Sequence, residues 1–498
     1  MEDTIAAIAT PPGSGGIGVI RVSGAKAAHI ARLLFKPSQK SPPYPPLEKG
    51  GMGGFDFSSH HLYYGDIIAP ETGKALDEVL ISLMKKPHSY TGEDTLEIYC
   101  HGGYLILQAV LGEIIKAGCH LALPGEFTRR AFLNNRLDLS QAEAVLDMIM
   151  TKTERGRELA LSHLKGNLSE KIETLRRRIM DVLALIEMSI DFPEDENPPI
   201  PPFSKGGPRG DLEGSKRAPS PGSKESSKYE KDIASQLAGI AQEIHDLLMT
   251  YQQGKIFRNG VSVVIAGKPN VGKSSLLNAL LGEKRAIVTP IAGTTRDFIE
   301  EFIDIEGIAV KLTDTAGIRE PENIIEQEGI ALSRDRLSSA DLAIILLDGS
   351  EELSDDDRRI IAYNINRNTL VAVNKADLPS RLGLSDVESL LPGRDIFRIS
   401  AKYGDGLPAI KKAIRKAALG TDVHHQPDAI IANIRHKMAL EKTVSFLLQA
   451  KEGVLKNVLP ELIAIDLSDA LATIGEITGK TASEDILTRI FSQFCIGK

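Results

Sequence analysis

The residues whose types and spacing carry the most chemistry are Gly267-Lys268-Pro269-Asn270-Val271-Gly272-Lys273-Ser274, with Ser275 directly behind them. They match the pattern GxxxxGK[ST], in which the backbone N–H groups of a glycine turn surround a polyphosphate. In this pattern Lys273 supplies a positive charge near the β and γ phosphates, and Ser274 offers its hydroxyl to Mg2+. Such a turn works only where a strand and a helix aim it. Val261 to Ala266 is an apolar run of strand length, and Ser275 to Leu281 reads as a helix. The turn is therefore predicted at a strand end, with the unpaired N–H groups of a helix N-terminus facing the phosphates.

Three later stretches belong to the same chemistry. Asp314-Thr315-Ala316-Gly317 follows the strand-like run Val310 to Thr313, which places an acid where Mg2+ is held and a glycine where a γ-phosphate is sensed. Asn374-Lys375-Ala376-Asp377 ends another such run, Leu370 to Val373. Asp377 can accept hydrogen bonds from both N1–H and the 2-amino group of guanine, which adenine cannot supply. Ser400-Ala401-Lys402 closes a third strand and backs the same base. In this order, each at a strand end, the four motifs resemble the GTPase family. Ala286-Ile287-Val288-Thr289-Pro290-Ile291-Ala292-Gly293-Thr294-Thr295-Arg296-Asp297 is then the candidate first switch, with Thr295 giving its hydroxyl to Mg2+ and its amide to the γ-phosphate.

Many GTPases orient the attacking water with a Gln after the DxxG glycine, but here Ile318 stands there. Something else must polarise the water: Glu326 is a candidate acid, alongside Glu320, Glu322 and Glu328. Charge on the leaving group also needs a positive partner. Asn270 and the stretch Thr289 to Thr294 can give oxygen ligands to a monovalent cation, and a cage of backbone carbonyls suits K+ better than Mg2+.

A chain of 498 residues predicts about three domains, and 42% hydrophobic residues predict real cores. Lys and Arg number 59 against 67 Asp and Glu, a net charge of −8 that argues against a surface gripping nucleic acid over its whole extent. Cys100, Cys119 and Cys495 are too few for a disulfide framework, which predicts a reduced, cytoplasmic setting. The opening residues show no basic region followed by an apolar core, and no stretch reaches the ~18 apolar residues that span a bilayer.

Thr4 to Ala9 and Ile17 to Val22 read as strands around a glycine turn, followed by an Ala-rich helix. Leu62 to Ile68, Glu78 to Met84 and Thr95 to Cys100 read as further strands and Tyr104 to Ala117 as a helix, a separate α+β domain. Two segments of the form PPxPPxxKGG, at Pro42 to Gly51 and Pro198 to Gly207, cannot pack a core; the second continues through a Ser/Lys/Gly-rich stretch to about Lys228. They read as copies of one inserted element in exposed loops. Leu139 to Ile190, Tyr229 to Phe257, Ala429 to Lys456 and Glu461 to Thr478 have helical patterns, and Thr481-Ala482-Ser483-Glu484 resembles a capping box that opens a last helix.

Thr91-Gly92-Glu93-Asp94-Thr95-Leu96-Glu97, His101-Gly102-Gly103, Pro124-Gly125-Glu126-Phe127-Thr128, Ala131-Phe132-Leu133-Asn134, Asp138-Leu139-Ser140-Gln141-Ala142-Glu143-Ala144 and the closing Phe494-Cys495-Ile496-Gly497-Lys498 extend the likeness beyond the nucleotide module. Together they resemble the MnmE (TrmE) family, GTPases that modify tRNA at the wobble uridine. The resemblance implies a multidomain α/β and α+β protein: a folate-binding, dimerising α+β domain over 1–137, a helical domain from 138–257 plus 420–498, and a Ras-like P-loop GTPase domain at 258–419 inserted in the helical bundle. On the matching positions it implies that Arg21, Glu97, Arg136 and Lys498 hold 5-formyltetrahydrofolate or 5,10-methylenetetrahydrofolate. It also implies that Asn270, Thr289, Ile291 and Thr294 surround K+, that Ser274 and Thr295 bind Mg2+, and that Glu326 orients water. A homodimer is implied, working with the flavoprotein MnmG (GidA) in a heterotetramer to build a 5-aminomethyl or 5-carboxymethylaminomethyl group on tRNA. Cys495 is a candidate reactive thiol and His101 a candidate pterin contact. The competing reading is a regulatory GTPase switch in ribosome assembly, which would not need residues 91–103 or 494–498.

Overall fold

The computed structural model describes residues 3–11, 13, 15–38, 48–49, 55–191, 224–282, 302–314, 340–364, 368–420 and 429–498, with side chains left undescribed at 48–49, 55–56, 224–228, 313–314 and 364. The described residues divide into two compact units, one drawn from 3–146 and 475–498, the other from 147–282 and 302–474.

The first unit is built on a seven-stranded sheet. Its strands are β1 (Ile5–Ile8), β2 (Gly15–Ser23), β3 (Phe35–Pro37), β6 (Leu62–Ile68), β7 (Ala75–Met84), β8 (Thr95–Gly102) and β9 (His120–Leu121), in the order β3-β6-β7-β8-β2-β1-β9. Glu48–Lys49 (β4) and Phe55–Asp56 (β5) pair separately. Alternation along the strands sends Ile20, Val22, Ile81, Leu83, Leu96 and Ile98 to one face, where the helices Ala27–Leu34 and Tyr104–Lys116 cover them. Arg21, Glu97 and Tyr99 therefore point to the other face. The last helix, Glu484–Phe491, belongs to this unit because Leu487, Ile490 and Phe491 bury against Leu139 and Ala142.

Its cap differs from the expected box. Ser483, not Thr481, is the N-cap, and its hydroxyl accepts from the Ile486 amide. The residue three on from Ser483 is Ile486, so no carboxylate can reach back. Arg130, 1% exposed, is held in this unit by Asp3, Glu93 and Glu126 at 3.1, 3.2 and 2.9 Å. Arg130→Ala leaves those carboxylates around a void and is expected to destabilise the unit by about 3–5 kcal/mol, read as a fall in thermal midpoint.

The second unit contains a six-stranded sheet: β10 (Val261–Ala266), β11 (Phe302–Ile305), β12 (Ile308–Asp314), β13 (Leu342–Asp348), β14 (Thr369–Asn374) and β15 (Ile396–Arg398), in the order β11-β12-β10-β13-β14-β15. All neighbours are parallel except the β11–β12 hairpin. Parallel strands are buried on both faces, which is why Leu342–Asp348 reads as an unbroken apolar run before its final acid. The helices Lys273–Leu281 and Leu407–Leu419 close one face; Asp355–Asn364 and Leu384–Leu390 close the other. In a sheet of this kind ligands bind beyond the carboxyl ends of the strands. All four nucleotide motifs were expected there.

The rest of the unit is helical. Asn167–Asp191 buries Leu168, Ile172, Leu175, Ile179, Val182 and Ile186, an alternating four-and-three spacing that makes one apolar stripe. The helix Lys224–Met249 packs along Ile434–Leu455. It begins inside the stretch read as low-complexity, since Lys224-Glu225-Ser226-Ser227-Lys228 contains neither Pro nor Gly to stop it. Among the described residues no helix is long and apolar enough to cross a membrane.

Candidate functional site

The phosphate loop leaves β10, the strand that lies between β12 and β13. Asn270 (φ 61°) and Gly272 (φ 99°) take left-handed backbone angles, and this double reversal turns the N-terminus of Lys273–Leu281 back over the loop. Gly272 has no substitute, because a Cβ there would sit 2.3 Å from Asn374 Nδ2. Lys273 is buried, and its ammonium donates to the carbonyls of Gly267 and Lys268, both at 2.9 Å. The cation thus rests at the mouth of the loop, where polyphosphate oxygens would replace those carbonyls. Ser274 is exposed at the first turn of the helix, and Val271 is buried beneath it.

Asn374 joins the motifs. Its Nδ2 donates to the Val271 carbonyl at 2.8 Å, and its Oδ1 accepts from the Ala401 amide at 2.9 Å. One buried amide therefore locks the phosphate loop to both base-recognition loops. Nothing in its spacing announced this double role. Ser400, fully buried, donates to Asp377 Oδ1 at 2.6 Å and leaves the exposed Asp377 carboxylate aimed outward. Lys375 (φ 61°) pairs with Asp348 at 2.5 Å. Burial works against charge on Asp348, yet hydrogen bonds from Lys375 and Ser350 hold its carboxyl below the usual carboxylate range. Ala376 is tied to Ile399 by its amide, and Lys402 lies exposed with its ammonium over the Tyr403 ring.

The structure thus brings together residues 270–275, 374–377 and 400–402. The backbone of Asp314 ends β12 opposite Ile265, beside the loop. Thr289 to Thr295, Thr315 to Gly317 and Glu326 lie outside the described residues. Of the proposed cation ligands only Asn270 and Ser274 are described, and among the described residues no cluster of His, Cys, Asp or Glu could hold a metal by itself. An oxygen set of Ser hydroxyl, Asn and phosphate suits hard cations, so these two side chains fit the expected Mg2+ and K+.

In the first unit, Arg21 on β2 stands opposite Glu97 on β8. Its Nε and Nη2 reach Glu97 Oε1 at 2.9 and 2.8 Å, and its Nη1 donates to the Gly497 carbonyl at 3.2 Å. The guanidinium carbon lies 5.5 Å from the Tyr90 ring centre and 5.7 Å from that of Phe127, and Tyr99 donates to Glu97 Oε2 at 2.6 Å. Burial, followed by the hydrogen bond to Glu97, pushes the Tyr99 phenol up to about 12. Lys498 joins the cluster: burial and then Arg21 hold its ammonium below the ordinary lysine range.

Gly497 (φ 96°) must be glycine, since a Cβ would meet the Ile8 carbonyl at 2.6 Å. Arg136 Nε donates to the Ser89 carbonyl at 3.0 Å, one residue from Tyr90. His101 is clamped by Asp77, which takes both its amide and its Nδ1 at 2.8 and 2.7 Å and raises the imidazole pKa. Cys495 is exposed, whereas burial raises the Cys100 and Cys119 thiols to about 12 and about 11. Tyr90, Tyr99 and Phe127 were not singled out individually from the sequence, although Phe127 lies within one of the quoted motifs.

A family model described as GTP-binding protein TrmE N-terminus matches residues 4–136, and one described as the MnmE helical domain matches residues 139–495. The tRNA modification GTPase MnmE of Syntrophus aciditrophicus is 48% identical over 498 residues, covering 100% of both chains. That of Acetivibrio thermocellus is 40% identical over 500 residues, covering 100% of this chain and 99% of its own. Among solved structures, the G domain of the T. maritima FeoB iron transporter is 28% identical, covering 32% of this chain and 98% of its own with a TM-score of 0.25. With relatives this similar from end to end, and with the phosphate, guanine and N-terminal clusters assembled as described, the chain belongs to the MnmE (TrmE) family of GTPases.

Proposed function

We propose that this protein hydrolyses GTP in a K+-dependent reaction and uses the cycle, as a homodimer with the flavoprotein MnmG in a heterotetramer, to build the 5-aminomethyl or 5-carboxymethylaminomethyl group of the tRNA wobble uridine in the cytoplasm. The one-carbon unit comes from 5-formyl- or 5,10-methylenetetrahydrofolate bound at Arg21, Glu97, Arg136 and Lys498. The domain limits are those of the sequence reading: 1–137, 138–257 with 420–498, and 258–419. In the GTPase module Lys273 and the loop amides hold the phosphates, Ser274 and Thr295 the Mg2+, and Asp377 with Ser400 and Lys402 the guanine. Asn270, Thr289, Ile291 and Thr294 hold K+, and Glu326 orients the water.

The observation that carries the folate part is the Arg21–Glu97–Gly497 arrangement. It joins residues 476 positions apart into one polar cluster and keeps a half-buried ammonium, Lys498, beside another cation. An anionic ligand relieves that crowding, so the donor set fits a folate carboxylate. The dimer reading is supported by the open face of the first unit's sheet, where Ile17, Leu62 and Leu80 are 68%, 54% and 41% exposed.

Calorimetric titration with 5-formyltetrahydrofolate is expected to show binding that Lys498→Gln weakens about tenfold, the loss of a charge-assisted contact, with GTP turnover intact. Because the Lys498 pKa is lowered, its charge is lost earlier than that of an ordinary lysine as pH rises, and folate affinity falls through that range. Absence of folate binding with full GTPase activity would favour the docking switch.

A further inference from the structure

The acidic segment after β13 belongs to none of the nucleotide motifs, yet it grips two of them. Asp348, which closes β13, takes Lys375 of the guanine motif, and Asp357, nine residues further along the chain, takes hold of the phosphate loop as well. There Lys268 Nζ lies 2.8 Å from Glu351 Oε2 and 3.2 Å from Asp357 Oδ2. Glu351 is an exposed partner, but the Asp357 side chain is only 3% exposed. Asp357 is placed by a capping box. Ser354 donates its amide and hydroxyl to Asp357 Oδ2 at 3.0 and 2.6 Å, and the Asp357 amide donates back to Ser354 Oγ at 3.3 Å.

A cap alone needs no cation, and it is satisfied in water at an exposed helix end. Here the Asp357 side chain is buried beneath a half-buried Ser354, and the same Oδ2 that takes the cap's bonds also meets Lys268. The Lys268 backbone carbonyl is in turn one of the two that hold the Lys273 ammonium. The line therefore runs from Asp357 through Lys268 to the cation that meets the phosphates.

We propose that Asp357 is a positioning residue for GTP hydrolysis: through its buried ion pair with Lys268 it fixes the first turn of the phosphate loop, and with it Lys273. This rests on the reading of the module as a GTPase. A buried carboxylate opposite a loop ammonium leaves one loop geometry lower than the rest, which is how a neighbouring element preorganises a phosphate cradle.

The test uses the full chain in a potassium buffer, with GDP affinity by fluorescent-nucleotide displacement and steady-state GTP turnover. Asp357→Asn keeps an oxygen for Ser354, and so keeps the cap, while removing the charge. Its GDP Kd and GTP KM are expected to rise about tenfold, the size of one charge-assisted contact, with kcat within about twofold and the thermal midpoint nearly unchanged. Lys268→Gln breaks the pair from the other side and is expected to give the same KM rise, and the double variant to be no weaker than Lys268→Gln alone. Wild-type nucleotide affinity in Asp357→Asn, or single effects that multiply in the double variant, would overturn the proposal. A wild-type chain that binds no guanine nucleotide would instead overturn the GTPase reading itself.

Discussion

Asp377→Asn is expected to lower kcat/KM for GTP by about 10⁴-fold, the discrimination reached when a site built for a donor pair is left with the wrong partner. The carboxylate offers two acceptors to the two adjacent donors on the guanine edge. Ser400, fixed by its own burial, holds one oxygen at 2.6 Å so that the group cannot swing away. An amide keeps one acceptor and turns the other into a donor, which opposes the 2-amino group and suits a 2-carbonyl instead. The same variant is therefore expected to gain turnover of xanthosine triphosphate. Side-by-side kinetics with the two nucleotides decide the matter: an unaltered preference for GTP would mean that the base is read elsewhere.

The second large effect concerns the cation. GTP turnover is expected to be faster in KCl than in NaCl, and Glu326→Ala to lose about 10²–10⁴-fold in kcat, the range for a positioned general base, while nucleotide still binds. Ile318 stands where an amide side chain would orient water, and Asn270 lies exposed at the reversal of the phosphate loop. Stopped-assay hydrolysis in the two salts, with binding checked in parallel, measures both. Equal rates in sodium and potassium would end the cation proposal, and an active Glu326→Ala would pass the role to another acid of the second switch.

What could be read in the sequence was local. Val261 to Ala266 and the glycines after it declare a buried strand and a turn through their own composition, and the structure places them so. Helical stripes such as Leu168 to Ile186 were equally legible, because one face repeats in short range. Long-range partnerships left no such trace. Asn374 was visible as a base-motif residue, but its grip on Val271 depends on β10 and β14 flanking β13 in the sheet. The Asp348–Asp357 segment was not singled out from the sequence, since only the packing of its helix buries Asp357. The last helix followed the same pattern. Its existence was plain, but its cap shifted by two residues because hydroxyls at Thr481 and Ser483 compete and only geometry chooses between them.

The hydrogen bond from Arg21 to Gly497 has a consequence for biosynthesis. Arg21 leaves the ribosome well before its acceptor, which follows 476 positions later. During most of translation the N-terminal sheet must fold with Glu97 as the guanidinium's counter-charge and the neighbouring surface open. A chain interrupted before Gly497 would carry a complete P-loop while its Arg21 guanidinium lacked that carbonyl and the neighbouring Lys498 ammonium.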